Sequence, residues 1–297
     1  MPHASAGVAG GTGELFARAR EDVEAVLGLP VPPRPRAIVA PDDGEFLRRF
    51  AALTGGGAPP PGAVAIAFPD LGLILLHQRA LLGGTDADLP STLRHELAHL
   101  ALGPLQRRIG RLPRWLEEGL AELCSGRRAD LAERSTLGNW ARAGALPRLE
   151  TLAAAFPPHA AAGSRAYLVS LSFLAWVEAR EGGGGARRLL QALARGDDLD
   201  LAFEAATGQV QVDAERLWAD ELAAREPLLP GFLLRLDVLS LAGVLALLAI
   251  LRHVLRNRRL RAELAAADEA EDAARLAGEP APPAPEGGRA EEAPGLP

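Results

Sequence analysis

At 297 residues, 48% of them hydrophobic, the chain can build one sizeable core with appendages. A net charge of −6 gives no reason to expect a nucleic-acid partner, and the lone cysteine, Cys124, excludes an internal disulfide and makes a cysteine-based metal site implausible. All 32 basic residues are arginine, a compositional bias that lowers the meaning of any arginine cluster taken by itself.

Residues 1–12, rich in Gly, Ala and Ser, read as a disordered leader to a domain over residues 13–229. Glu14–Leu27 has the spacing of an amphipathic helix, Arg36–Ala40 reads as a strand and Glu45–Leu53 as a helix. After Gly55-Gly56-Gly57 and a proline-rich loop, Ala63–Leu76 reads as two short strands around a turn at Pro69-Asp70. An edge strand here, with Gly72, Leu73 and Ile74 as its candidate contacts, could hold an extended peptide by backbone pairing.

Next comes Leu93-Arg94-His95-Glu96-Leu97-Ala98-His99-Leu100. On a helix, His95 and His99 leave the same face four residues apart and can grip one metal ion. Glu96 projects beside them, placed to take a proton from the water that a hydrolytic zinc keeps in its open position. Ser91 or Thr92 could cap this helix, Leu93, Leu97, Leu100 and Ala101 supply its apolar stripe, and Gly103-Pro104 predicts its end. A second helix follows, opened by Pro113 and closed by Ser125-Gly126, with the wording Pro113-Arg114-Trp115-Leu116-Glu117-Glu118-Gly119-Leu120-Ala121-Glu122.

These two segments resemble the gluzincin metallopeptidases, in which a glutamate on a second helix completes the zinc site. The nineteen-residue step from His99 to Glu118 and the Trp-Leu-x-Glu-Gly-x-Ala wording are similar to the alanyl-aminopeptidase branch and still more to bacterial peptidase MA-like domains. The resemblance implies Zn2+ held by His95, His99 and Glu118, with Glu96 as general base. Glu117 is the competing acid. It lies about 100° around the helix from Glu118, so only one of them can face the metal squarely. Spacing favours Glu118 and leaves Glu117 solvated. Glu122, one turn beyond Glu118, either accepts a hydrogen bond from the outer nitrogen of a ligand histidine or is a surface glutamate.

The resemblance also assigns Tyr167, the only tyrosine, with the small residue Ser170 three positions on, as donor to the oxyanion of a tetrahedral intermediate. It does not extend to the Gly-x-Met-Glu-Asn segment with which aminopeptidases hold a free amine, because the only methionine is Met1. The expected architecture, over roughly residues 30 to 226, is α+β: a small mixed sheet and a helical lobe with zinc between them. Leu146–Phe156 reads as a connecting segment with a short helix. Arg165–Arg180, Ala186–Ala194, Leu201–Ala206 and Asp213–Arg225 supply the later helices. His77, His159 and His253 are isolated and read as solvated or packed.

Phe232–Leu251 offers twenty mostly apolar residues, enough to cross a bilayer core of about 30 Å at about 1.5 Å per residue. It predicts a single C-terminal transmembrane helix, although Arg235 and Asp237 lie near one end. Arg252, Arg256, Arg258, Arg259 and Arg261 mark a basic juxtamembrane segment, 252–262, and put the C-terminus in the cytoplasm and the zinc domain outside. Met1–Gly13 shows no export-signal pattern, which conflicts with that direction and leaves open a start further upstream, a lost signal or a cytosolic domain. Residues 263–297, acidic and rich in Pro and Ala, read as a disordered tail. The function expected is a membrane-anchored zinc metallopeptidase acting on a peptide or protein substrate. The rival is a non-hydrolytic, zinc-stabilised module that binds peptides or envelope proteins.

Overall fold

The structure, a computed structural model, describes residues 5–82, 88–157 and 160–226, with positions 252, 253 and 256; for 5–12, 160, 161 and 181 the backbone alone is described. The chain divides into two units, Met1–Leu234 and Arg235–Pro297. The expected transmembrane helix at 232–251 and the tail at 263–297 lie outside the described residues, as does most of 252–262. Among the described residues no helix is long and apolar enough to cross a membrane.

The first unit is mostly helical with a small three-stranded mixed sheet, an α+β architecture. Strands β1 (Arg36–Ala40), β2 (Ala65–Phe68) and β3 (Leu73–His77) lie in the order β1-β3-β2, with β3 parallel to β1 and antiparallel to β2. Leu73-Ile74-Leu75-Leu76 is a continuous apolar run because β3 is buried on both faces. Side chains alternate across a strand. Ile74 and Leu76 therefore join the main core, while Leu75 packs with Ala40 and with Phe46 of α2 (Asp43–Thr54) beneath the sheet.

This register corrects the expected peptide-holding segment. Leu73 and Ile74 pair with Arg36 and Ala37 on one side and with Phe68 and Ala67 on the other, so β3 has no free backbone edge to offer. Gly72 closes the turn between β2 and β3 at φ 56, a left-handed conformation that glycine adopts without steric cost. The edge strands are β1 and β2.

Helix α1 (Ser5–Leu27) buries Ala19, Val23 and Leu27 and starts nine residues before the expected Glu14, so residues 5–12 are helical rather than a disordered leader. Extending a helix from a packed nucleus adds a hydrogen bond per residue, which here outweighs the poor propensity of Gly7, Gly10 and Gly11. After the short α3 (Gln78–Leu82), helix α4 (Leu89–Ile109) carries the two candidate ligand histidines. Its cap is Asp88, whose carboxylate accepts from the Ser91 amide at 2.6 Å, rather than Ser91 or Thr92. Nor does it stop at Gly103-Pro104. The Pro69 turn packs so closely on Gly103 that a Cβ there would lie 2.5 Å from Pro69 Cβ, and burial of Leu105 carries the helix on.

Helix α5 (Arg114–Ser125) begins after Pro113 and ends at Gly126, as its sequence predicts. Helix α6 (Leu131–Arg142) opens on a capping box, Asp130 with Glu133. Then come α7 (Ala160–Ala179), α8 (Gly185–Arg195), α9 (Leu199–Thr207) and α10 (Gln211–Arg225). The α5–α7 contact shapes the site. Trp115 packs edge-on to Phe173, and a Cβ on Gly119 would meet the Ser170 carbonyl oxygen at 2.8 Å and Leu174 Cδ2 at 2.9 Å. Small residues at 119 and 170 thus let the helix bearing Glu118 approach the helix bearing Tyr167.

Candidate metal centre

Two helices meet at the site, and Arg94 fixes them. It reaches from α4 to the Ser125 carbonyl at the end of α5, with Nη2 at 2.7 Å and Nε at 3.1 Å. From these helices His95, His99 and Glu118 converge. Nε2 of His95 lies 3.3 Å from Nε2 of His99, and Glu118 Oε2 lies 3.5 Å and 3.8 Å from those two atoms. A tetrahedral zinc with ligand bonds of about 2.0–2.1 Å needs ligand atoms about 3.3 Å apart, so the triangle is close to the required size.

The chemistry of the donors fits too. Glu118 is 2% exposed and its Oε2 is a buried atom with no hydrogen-bond partner. Leaving such an oxygen unsatisfied is costly, and a divalent cation between it and the two imidazoles would satisfy it. The other oxygen, Oε1, is taken by Arg114 Nη2. Glu118 therefore presents one oxygen, not two, to the site.

The outer ring nitrogens face carboxylates. His99 Nδ1 is hydrogen-bonded to Glu117 Oε1 at 3.2 Å. His95 Nδ1 stands 3.6 Å from Glu122 Oε1, an ion-pair rather than a hydrogen-bond separation. Carboxylates behind ligand histidines fix ring orientation and raise ligand basicity. Glu122 thus stands at ion-pair distance from His95 without the hydrogen bond, and Glu117 is not solvated but hydrogen-bonded to His99. Residue spacing carried the signal: Arg114, Glu118 and Glu122 recur every four residues, with Glu117 three after Arg114, so all border one face of α5. Arg114 stands in the quoted motif, but its place beside Glu118 has no signal in the sequence beyond that spacing.

Charges at the site are strongly coupled. Burial pulls His99 down, but the Glu117 hydrogen bond and the charges of Glu118 and Glu96 raise it to about 9. Burial raises Glu117, yet His99 and Arg114 bring it down to about 2. Glu118 is likewise lowered, burial being outweighed by His95, His99 and Arg114, whereas burial raises Glu122. In metal-free protein the raised His99 contributes stability that is full below pH 6.5 and lost as pH climbs through about 9. The depressed Glu117 contributes stability present above pH 4.5 and lost as pH falls through about 2. Metal binding needs neutral imidazoles and competes with that proton. Stabilisation by zinc, read as the difference in melting temperature between loaded and metal-free protein, should therefore grow from pH 6.5 to pH 9. A constant or shrinking difference would contradict this coupling.

Glu96, 7% exposed, lines the same cleft, and its charge acts on His99; among the described residues no hydrogen-bond donor reaches its carboxylate. Tyr167 lines the cleft from α7, its ring edge-on to Phe156 at 4.8 Å and its phenol under the influence of the Arg114 charge. Burial, joined by the charge of Glu118, pushes this phenol up to about 12, so it keeps its proton at neutral pH and remains a donor. The cleft, about 670 Å³, is walled on its other side by β2 residues Ala65, Ile66 and Ala67. Neither His77 nor Cys124 is part of its lining. His77 is buried and stacked on Phe46, Cys124 is buried with its thiol pushed up by burial, His253 is exposed, and His159 is outside the described residues.

Compared with known proteins, the chain matches no protein-family model and no curated protein.

Proposed function

We propose that this chain is a zinc-dependent metallopeptidase of gluzincin type, anchored to a membrane by a single helix at 232–251. The observation that carries the reading is the buried Glu118 Oε2, which has no hydrogen-bond partner and lies 3.5 Å and 3.8 Å from two imidazole nitrogens. His95, His99 and Glu118 would hold the zinc, which would supply Lewis acidity towards the scissile carbonyl and a bound water. Glu96 removes the proton of the attacking water and later delivers it to the leaving amine. Tyr167 donates its phenolic proton in a hydrogen bond to the developing oxyanion, a contact of the kind worth about 3 kcal/mol. Arg114 keeps Glu118 and Tyr167 in register, and the free edge of β2 holds the peptide in extended form.

The apolar run at 232–251 with the arginines that follow supports a cytoplasmic C-terminus and a zinc domain on the far side of the membrane. An N-terminal domain protected from added protease in intact cells would reject that direction.

Digestion of a peptide library by the full-length protein, before and after chelation, tests the activity. The expected outcome is a set of cleavage products that disappears with chelator and returns with added zinc. One zinc bound per chain without any cleavage would reject the peptidase and favour the non-hydrolytic peptide-binding module, for which Glu96 has no use.

A further inference from the structure

The cleft continues beyond the metal centre. Arg114, Glu117 and Tyr167 line both the cleft of the candidate metal centre and a wider space of about 1270 Å³ that runs past Pro69 and Gly103 towards the C-terminal end of α4. From His99 to Arg107 the axis of α4 advances about 12 Å. An extended peptide on β2 covers that distance in about three to four residues.

This far end holds three guanidinium groups, from Arg107, Arg111 and Arg114, against two carboxylates, from Asp70 and Glu117. In a chain whose every basic residue is arginine, the number alone means little; the pairing decides. Arg107 is 3.1 Å from Asp70. Arg114 is engaged by Glu118 and stands 3.6 Å from Glu117, which in turn holds His99. Arg111 is exposed at the start of the α4–α5 connection and has no acidic or carbonyl partner among the described residues. At the metal end, Glu96, Glu117, Glu118 and Glu122 face Arg114 and Arg127, a surplus of two negative charges that a divalent cation cancels. The loaded cleft is thus close to neutral at its centre and positive at the Arg111 end.

We propose that the Arg111 end of this cleft is a subsite for a carboxylate of the bound peptide. Calling that peptide a substrate rests on the peptidase reading; the binding itself requires no turnover. Two sources supply the carboxylate. β2 runs towards the arginines, so a peptide antiparallel to it brings its N-terminal half there and offers an acidic side chain about three to four residues before the scissile bond. A parallel peptide offers its free C-terminus at a similar distance beyond that bond.

The test uses the zinc-loaded full-length Glu96→Gln variant in detergent and fluorescence anisotropy of four labelled peptides. One pair differs by Glu against Gln in the N-terminal half, the other by a free against an amidated C-terminus. The subsite predicts that one carboxylate-bearing peptide binds about five- to tenfold more tightly than its neutral partner, the range of a charge-assisted contact near solvent. The preferred pair identifies the source. In Arg111→Glu the ratio falls to one or inverts, and in Arg111→Ala it falls towards one. Equal affinities within both pairs, a preference unchanged in both Arg111 variants, or no binding by any peptide would overturn the proposal. Incubating the same peptides with wild-type protein separates the two readings. Hydrolysis without carboxylate preference sinks the subsite alone, and preference without hydrolysis sinks the peptidase reading alone.

Discussion

Glu96→Gln is expected to lower peptide hydrolysis by about 10²- to 10⁴-fold, the usual worth of a positioned general base, while leaving the zinc content unchanged. The reason is geometric. Glu96 lies on α4 between the two histidines yet is absent from the group of converging ligand atoms, which comprises His95, His99 and Glu118. No donor among the described residues engages its carboxylate, so an amide of the same shape neither breaks a contact nor disturbs the neighbouring helix turn. Hydrolysis rates of a library-derived peptide, with elemental analysis of the same samples, check both halves. Undiminished turnover would remove Glu96 as the base, and loss of zinc would mean that it holds the metal.

The second large effect separates the two adjacent glutamates of α5. Glu118→Ala removes a ligand, whereas Glu117→Gln removes only the group behind His99 Nδ1. Loss of an outer-shell partner typically weakens metal binding about 10- to 100-fold. Removal of one of three ligands should exceed that and, in competition with a chromogenic chelator, leave no measurable high-affinity site. Glu117→Gln should fall within the 10- to 100-fold range and retain part of the activity. The reverse order would transfer the ligand role to Glu117 and dissolve the significance of the orphaned Glu118 oxygen. Part of the Glu118→Ala effect arises from Arg114, which loses its closest carboxylate and its reason to stand beside Tyr167.

What could be read directly from the chain was whatever a single helix fixes. His95 and His99 share a face by helical geometry alone, and Pro113 and Gly126 bracket α5 by their own backbone preferences, which also places Glu118 on that helix. What escaped was decided between elements. The choice of free edge depends on which strand is central, and the unbroken Leu73–Leu76 run marks a strand covered on both faces, not an edge. Glu117 looked solvated because its helix position points away from the ideal ligand direction. The ring of His99, reaching across from α4, meets it there. Helix α4 outran its Gly103-Pro104 stop signal because the Pro69 turn needs a residue without a Cβ at that contact. In each case a tertiary neighbour overrode or completed a local rule.

The central claim is that His95, His99 and Glu118 enclose one zinc ion. Elemental analysis and zinc X-ray absorption of the purified full-length protein address it most directly. The account predicts one zinc per chain with two imidazole ligands and oxygen neighbours at about 2.0–2.1 Å, both lost in His95→Ala. A protein that retains no zinc, or one whose zinc environment is unchanged by His95→Ala, would contradict it.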